Sequence, residues 1–380
     1  MNGSAGASAA LSLWVESKKS GYTLRATAGP DEREIARAVL PESALNARAS
    51  LPAALLEVKN LAVRLDGEPD WPDAGPALDK LRDKGTDLAF EIFGRHDAFY
   101  DFAEACAHVL TPELRQRSDP PLVELNSDTR DLLPIELLPF FVVTDWPESI
   151  ENATDVACAA QSFLGFSAVL RRVPPADVQQ DTVLASRPLP VAFVRNVRLS
   201  GAAQEATALR DFGEDVVALE EPIPAGTGLS EREVVKLLSR RIYNAVSGAA
   251  TGASMDQVLH FACHCDADAL ATANWLLRIG DEVRVTMGDL IAELGYREVE
   301  RRRTSPRPTR PSRPLVFMNA CDTSSINPAS AASFVDVFLG NGNRGFIGTE
   351  TRIPDRVAAF VSHVFYERVL AGHTVGRALH

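Results

Sequence analysis

The segment "PLVFMNAC", residues 314–321, is apolar at nearly every position, and that continuity decides the class of fold. A strand with one wet face alternates apolar and polar side chains, whereas a strand covered on both faces reads as one apolar run. A second run of the same kind, "QVLHFACH" (257–264), and a third, "LPVAFVRNV" (189–197), stand upstream. Further strand candidates are "PLVEL" (121–125), "SAVLRRV" (167–173), "DVVALE" (215–220) and "GFIGTE" (345–350). Between them "GAAQEATALRDF", "SEREVVKLLSRRIYNAV", "SAASFVDVFLG" and "PDRVAAFVSHVFYERVLAG" carry apolar residues three and four apart, the helical period. Ser230, with Glu233 three residues on, predicts a capping box at one helix start. Strands alternating with amphipathic helices from about residue 120 predict an α/β fold: a mostly parallel central sheet with helices on both faces.

Ahead of this region, "ALSLWVES" and "YTLRATAG" flank "KKSG" and predict a β-hairpin within residues 1–30. Helices follow, one over "ALDKLRDKG" ending at Gly85 and one over "DAFYDFAEACAHVL" capped by Asp97. The expected division is an N-terminal accessory region of hairpin and helices, residues 1–115, and an α/β domain over 116–380. At 297–314, "REVERRRTSPRPTRPSRP" concentrates seven arginines and four prolines, which reads as an exposed loop open to cleavage or docking. The last residues, "AGHTVGRALH", stop within a helical pattern without a C-cap, which suggests a further C-terminal segment, such as a sensor or interaction module.

Composition narrows the function classes. A formal net charge of −12 disfavours a general nucleic-acid binder, because neutralising phosphates needs a basic surface. The run "LLPIELLPFFVV" is interrupted by Pro134, Glu136 and Pro139, so no membrane span is expected. The first twenty residues lack the basic start and long apolar core of a secretory signal, so the expected location is cytoplasmic. Five irregularly spaced cysteines (106, 158, 263, 265, 321) fit reduced thiols better than a disulfide framework.

The chemistry gathers where two apolar runs end. In an open parallel sheet, reactive groups sit beyond the carboxyl ends of the strands, and here one run delivers His264 and another Cys321. An imidazole beside a thiol yields a thiolate nucleophile and an acid for the leaving amine. The alternatives are a buried cysteine acting as a small hydrophobe and a histidine that is merely hydrogen-bonded. Zinc is a third reading of His260, Cys263, His264 and Cys265. Strand alternation sends the two histidines to one face and the cysteines to the other, and the second ligand pair of a structural zinc site is missing. No metal and no cofactor are therefore expected. Cys106 and Cys158 lie in helical patterns and read as packing residues, Cys263 as a core residue, and His260 as a strand residue satisfied by a hydrogen bond.

"VLHFACHCD" followed by "PLVFMNACDT" resembles the paired signatures of the CHAT domain, a caspase-related peptidase family whose strands end in His-Phe-Ala-Cys-His-Gly and in Asn- or Ser-Ala-Cys-Glu/Asp. "LVELNSDTRDLLPIELL", "GAAQEATAL" and the segment from "FVDVFLG" to "VGRAL" are similar to that family's other elements, so the resemblance spans about 115–380. It implies a caspase-like α/β sandwich and cleavage of a protein or peptide substrate by His264 and the nucleophile Cys321, whose spacing is close to the separation of about 50 in caspases. It also implies an oxyanion hole from the backbone N–H groups of Cys321 and Cys265. Regulation by a sensor domain or partner protein, in bacterial defence or cell death, is implied as well. Asp322 and Asp266 are candidates to pair with a basic P1 side chain, in which case the arginine-rich segment is a candidate internal substrate. Where the family carries glycine after the histidine, this chain has Cys265. Cysteine does not adopt positive φ freely, so the turn there is expected to be relaxed or the oxyanion hole weakened. The opposing reading is a catalytically impaired caspase-like module that binds a partner.

Overall fold

The computed structural model describes residues 9–44, 71–116, 120–128, 133–173, 188–224, 226, 228–243, 257–266, 275–281, 283–304, 313–320, 334–349 and 355–380. The chain divides into two compact units, residues 1–177 with 373–380, and residues 178–372.

The first unit is built on the expected hairpin. β1 (Leu11–Lys18) and β2 (Gly21–Ala28) pair antiparallel from Leu11↔Ala28 to Lys18↔Gly21. A strand the sequence reading did not anticipate, β3 (Arg33–Leu40), adds to β2, while β4 (Leu122–Ser127) runs parallel to β1 and β5 (Val169–Val173) parallel to β4. The order is β3-β2-β1-β4-β5, and a helix, α3 (Ala153–Gln161), precedes β5 in the chain. Leu11, Leu13 and Val15 alternate inward from β1 onto a core shared with α1 (Trp71–Phe93) and α2 (His96–Val109).

Two helix boundaries differ from expectation. α1 does not stop at Gly85 but continues to Phe93, where Gly94 at φ +70° closes it. Gly85 serves close packing instead: a Cβ there would lie 3.0 Å from the Phe163 ring and 3.1 Å from the Leu137 carbonyl oxygen. In α2 the N-cap is Arg95, and Asp97 sits in the first turn, accepting from the Ala98 N–H and from Arg95. A carboxylate there still favours the positive end of the helix dipole.

The second unit is the mixed α/β fold that the apolar runs announce. β6 (Leu189–Arg195), β7 (Val217–Glu220), β8 (Val258–Ala262), β12 (Leu315–Asn319) and β13 (Phe346–Ile347) form one sheet in the order β13-β12-β8-β6-β7, every pair parallel. All residues of β8 and β12 are buried, as strands covered on both faces require. One face packs Leu259, Phe261, Val316 and Met318 against α5 (Glu231–Tyr243), α6 (Met287–Thr304) and α7 (Phe334–Asn341). The alternate residues Phe193, His260 and Phe317 stand in one register row across β6, β8 and β12 and meet Phe365 and Tyr366 of α8 (Asp355–Leu370). α8 packs alongside α4 (Ser200–Asp211).

A small antiparallel sheet is joined to the carboxyl end of this one. β9 (His264–Asp266), β10 (Leu276–Ile279) and β11 (Val283–Thr286) pair in the order β11-β10-β9. Its link to the main sheet is Gly280, whose N–H donates to the Arg195 carbonyl (2.7 Å) and whose carbonyl accepts from Val197 (3.0 Å).

The capping box forms as expected: the Glu233 carboxylate accepts from the Ser230 N–H (2.9 Å) and hydroxyl (2.6 Å). The arginine-rich segment departs from expectation. Rather than a loop beginning at 297, its first part continues α6 to Thr304, and positions 305–312 lie outside the described residues. Arg297 bridges to Ser239 Oγ of α5 (2.7 Å) and to Glu293 (3.0 Å), and Arg302 pairs with Glu298 (2.8 Å), both at the i,i+4 spacing that supports a helix. Arg313 is buried, its guanidinium 4.3 Å from the centre of the Tyr243 ring.

Candidate active site

β8 ends at Ala262 rather than at His264. Cys263 forms a bend, and His264 opens β9, so the histidine belongs to the edge strand of the small sheet. The burial of three consecutive residues alternates: Cys263 and Cys265 enter the apolar core with Trp275 and Leu277, and His264 between them is exposed. Cys265 pairs with Leu277, and its φ is not positive, so β9 is extended backbone that cysteine adopts as readily as glycine. The family's glycine is therefore replaced here without strain.

β12 lies parallel to β8 with Asn319 opposite Ala262. His264 is two residues beyond Ala262, and position 321 is two residues beyond Asn319. Cys321 and Asp322 themselves lie outside the described residues. Ala320, the last residue described on this side, has its carbonyl held by the Thr349 hydroxyl at 2.5 Å. His264 and Ala320 line a narrow cleft of about 20 Å³, together with Leu199, Gly201 and Glu205 of the α4 side and Asp355 at the start of α8. Such a volume admits a single small group, of the order of one water. Asp266 does not face this cleft as an open charge: Arg278 grips its Oδ2 through Nε (2.9 Å) and Nη2 (2.8 Å).

Under the cleft lies a cluster of buried polar side chains, of which only His260 was expected from the sequence, as a strand residue satisfied by a hydrogen bond. Glu205, only 3% exposed, accepts from Asn319 Nδ2 at 3.0 Å, and the same amide donates to the Ala358 carbonyl at 2.9 Å. His260, fully buried, places Nδ1 3.1 Å from the Tyr366 hydroxyl and Nε2 2.9 Å from Glu205 Oε2. The latter contact is close but off the line of a hydrogen bond, so Nε2 lacks a well-aligned partner and we read the pair as electrostatic. Burial, and secondarily the charge of Glu205, hold the Tyr366 phenol well above its ordinary pKa. The phenol thus keeps its proton and, in the assignment that satisfies most groups, gives it to Nδ1, leaving the imidazole proton on Nε2 facing the carboxylate. The signal was present in the sequence: Ala202, Glu205, Ala206 and Leu209 all lie on the buried stripe of α4, and a glutamate in such a stripe asks for a partner.

Among the described residues no three or more His, Cys, Asp or Glu side chains gather as a metal site needs, and no helix is long and apolar enough to cross a membrane. The central parallel sheet with helices on both faces and a histidine beyond its carboxyl edge defines a caspase-like α/β protein. Residues 107–380 match the CHAT domain family, and the chain belongs to it; that domain is related to cysteine peptidases. No curated protein matches the chain.

Proposed function

We propose that this protein is a cysteine endopeptidase of caspase-like type, with Cys321 as nucleophile and His264 as its proton-transfer partner. The supporting observation is the shared register of β8 and β12, with the exposed imidazole of His264 on the cleft that Ala320 also lines. In the proposed reaction His264 takes the thiol proton and the thiolate attacks the scissile carbonyl carbon. The resulting oxyanion is held by backbone N–H groups, those of Cys321 and Cys265 being the candidates. Collapse breaks the C–N bond, and the imidazolium gives its proton to the departing amine. Water, deprotonated by His264, then attacks the thioester and releases the acid and the thiolate.

For a substrate with a basic P1 side chain, Asp266 is the weaker of the two acidic candidates because Arg278 already neutralises it, which leaves Asp322. Activation by a sensor or partner, within a defence or cell-death response, completes the proposal.

The test is covalent labelling with dipeptidyl chloromethyl ketones carrying arginine, leucine or aspartate at P1, with the adduct located by peptide mapping. An adduct on Cys321, absent in Cys321→Ala and slowed in His264→Ala, is the expected result. Cys106 does not compete, because burial pushes its thiol far above the ordinary cysteine range. No adduct on Cys321 with any of the three probes refutes the peptidase and favours a partner-binding module.

A further inference from the structure

Four polar side chains converge in the core directly under the cleft: Glu205 from α4, His260 from β8, Asn319 from β12 and Tyr366 from α8. Burying a carboxylate costs several kcal/mol unless partners satisfy it, and apolar residues of the same volume often serve stability as well or better. The position of the cluster suggests what it supplies instead. His260 lies four residues before His264 on the same strand path, and Asn319 lies two residues before Cys321. Each strand leading to a member of the proposed dyad therefore carries one side chain to the same carboxylate oxygen, Glu205 Oε2. Asn319 is tied a second time, to the Ala358 carbonyl at 2.9 Å, which fixes the end of β12 to α8 as well as to α4. Backbone pairing sets the register of β8 and β12, but it leaves the tilt of the strand ends against the flanking helices to side chains.

We propose that Glu205 is a positioning residue: its buried carboxylate joins His260 and Asn319 and so holds the ends of β8 and β12 at the spacing that lets His264 and Cys321 act together. The proposal rests on the peptidase reading of this site. Glu205 lines the floor of the cleft, but it is 3% exposed and its Oε2 is engaged by Asn319 and His260. It acts through Asn319 on the nucleophile's strand and through His260 on the histidine's, and Tyr366 keeps His260 oriented by binding Nδ1. The isosteric change Glu205→Gln removes the charge that faces the His260 Nε2 proton and weakens the one oxygen that both strands share, from a carboxylate to a neutral amide acceptor.

The experiment separates reaction from binding with the chloromethyl ketone that labels the wild type fastest. Saturation kinetics give the limiting rate, kinact, and the half-saturating concentration, KI. A displacement of reacting groups by about 1 Å costs up to roughly a hundredfold in rate, so kinact of Glu205→Gln is expected to fall by about ten- to a hundredfold. KI should stay within about twofold, because glutamine is isosteric with glutamate and leaves the shape of the cleft unchanged. Asn319→Ser, which shortens the tie, should show the same split, and Glu205→Asp, which restores the charge, should recover part of the rate. Thermal melting checks that each variant is folded.

If wild-type protein is not labelled, the peptidase reading fails. If the wild type is labelled and folded Glu205→Gln and Asn319→Ser keep the wild-type kinact, or lose only in KI, the positioning role fails while the peptidase stands. Should Glu205→Gln not fold, Asn319→Ser decides by the same criterion. Loss of cooperative melting in both overturns the proposal in favour of a purely structural role.

Discussion

Gly201 and Gly295 are both helical glycines, and replacing each with alanine should move stability in opposite directions. Gly201 is the second residue of α4, where that helix meets the start of α8: a Cβ built there falls 2.8 Å from the Asp355 carbonyl oxygen and 2.9 Å from its Cβ. Non-bonded carbons settle at about 3.5–4.0 Å, so Gly201→Ala must push the two helices apart by several tenths of an ångström. Overpacking of this kind costs about 1–3 kcal/mol. Alanine's helix propensity offsets at most about 1 kcal/mol, and less in a first turn. The net expectation is a loss of about 1–2 kcal/mol, which corresponds to a fall in Tm of roughly 2–8 °C for a unit of this size. Gly295, inside α6, has nothing within 4 Å of its built Cβ. Gly295→Ala therefore keeps only the propensity gain, about 0.5–1 kcal/mol. Calorimetry on the two single variants, measured beside wild type, reads both signs at once. A Gly201→Ala protein as stable as wild type, or more so, would refute the close approach of α4 and α8 and with it the cleft wall that Leu199, Gly201 and Asp355 form.

Phe338 of α7 is fully buried among Phe261, Phe334 and Phe346, with ring centres 5.7–6.4 Å away. Phe338→Ala should cost about 3–5 kcal/mol in urea denaturation, and a loss under 1 kcal/mol would contradict that packing. At the start of α5, the Ser230 hydroxyl and then its backbone N–H hold the Glu233 carboxyl below the ordinary carboxylate pKa. A depressed folded-state pKa contributes stability that is complete above the unfolded value of about 4.3 and fades as pH drops through the lower folded value. The wild type should therefore be more stable than Glu233→Gln at pH 7, and the difference should shrink in melts near pH 3. A difference that grows on acidification would reverse the sign and exclude the capping role.

The fold was legible where burial leaves one option. Runs such as Leu315–Asn319 and Val258–Ala262 are apolar on both alternations, as a strand covered on both faces is, and the amphipathic helices between such runs made a parallel sheet the reading. The small sheet was not legible, because β9 has three residues and continues an apolar run without a break in pattern. Gly85 misled for a different reason: glycine marks a helix end when φ is positive, but it also appears inside helices where another backbone comes close, and sequence does not separate the two. The start of the arginine-rich segment was legible in principle. Glu293 with Arg297 and Glu298 with Arg302 repeat at i,i+4, a helical signature outweighed in reading by the prolines further on.

At the candidate site the residue that departs from the family pattern changes meaning once its neighbours are known. A cysteine in place of glycine at 265 suggested a turn that cysteine resists, yet the backbone there is an ordinary strand and the side chain is buried. Cys263 and Cys265 are thus two core anchors on either side of His264, buried in the core that also holds Trp275 and Leu277, while the histidine between them faces outward. A glycine at 265 gives the backbone more room but removes one of the two anchors, leaving Cys263 and strand pairing to hold the imidazole. Cysteine at 265 therefore stiffens the histidine's segment rather than impeding its turn. The same logic governs the other strand, where Asn319 is held twice, by Glu205 and by the Ala358 carbonyl, two residues ahead of Cys321. Both members of the proposed dyad follow segments fixed by buried side chains just inside the sheet, and on the positioning proposal those buried ties are where the spacing of imidazole and thiol is set.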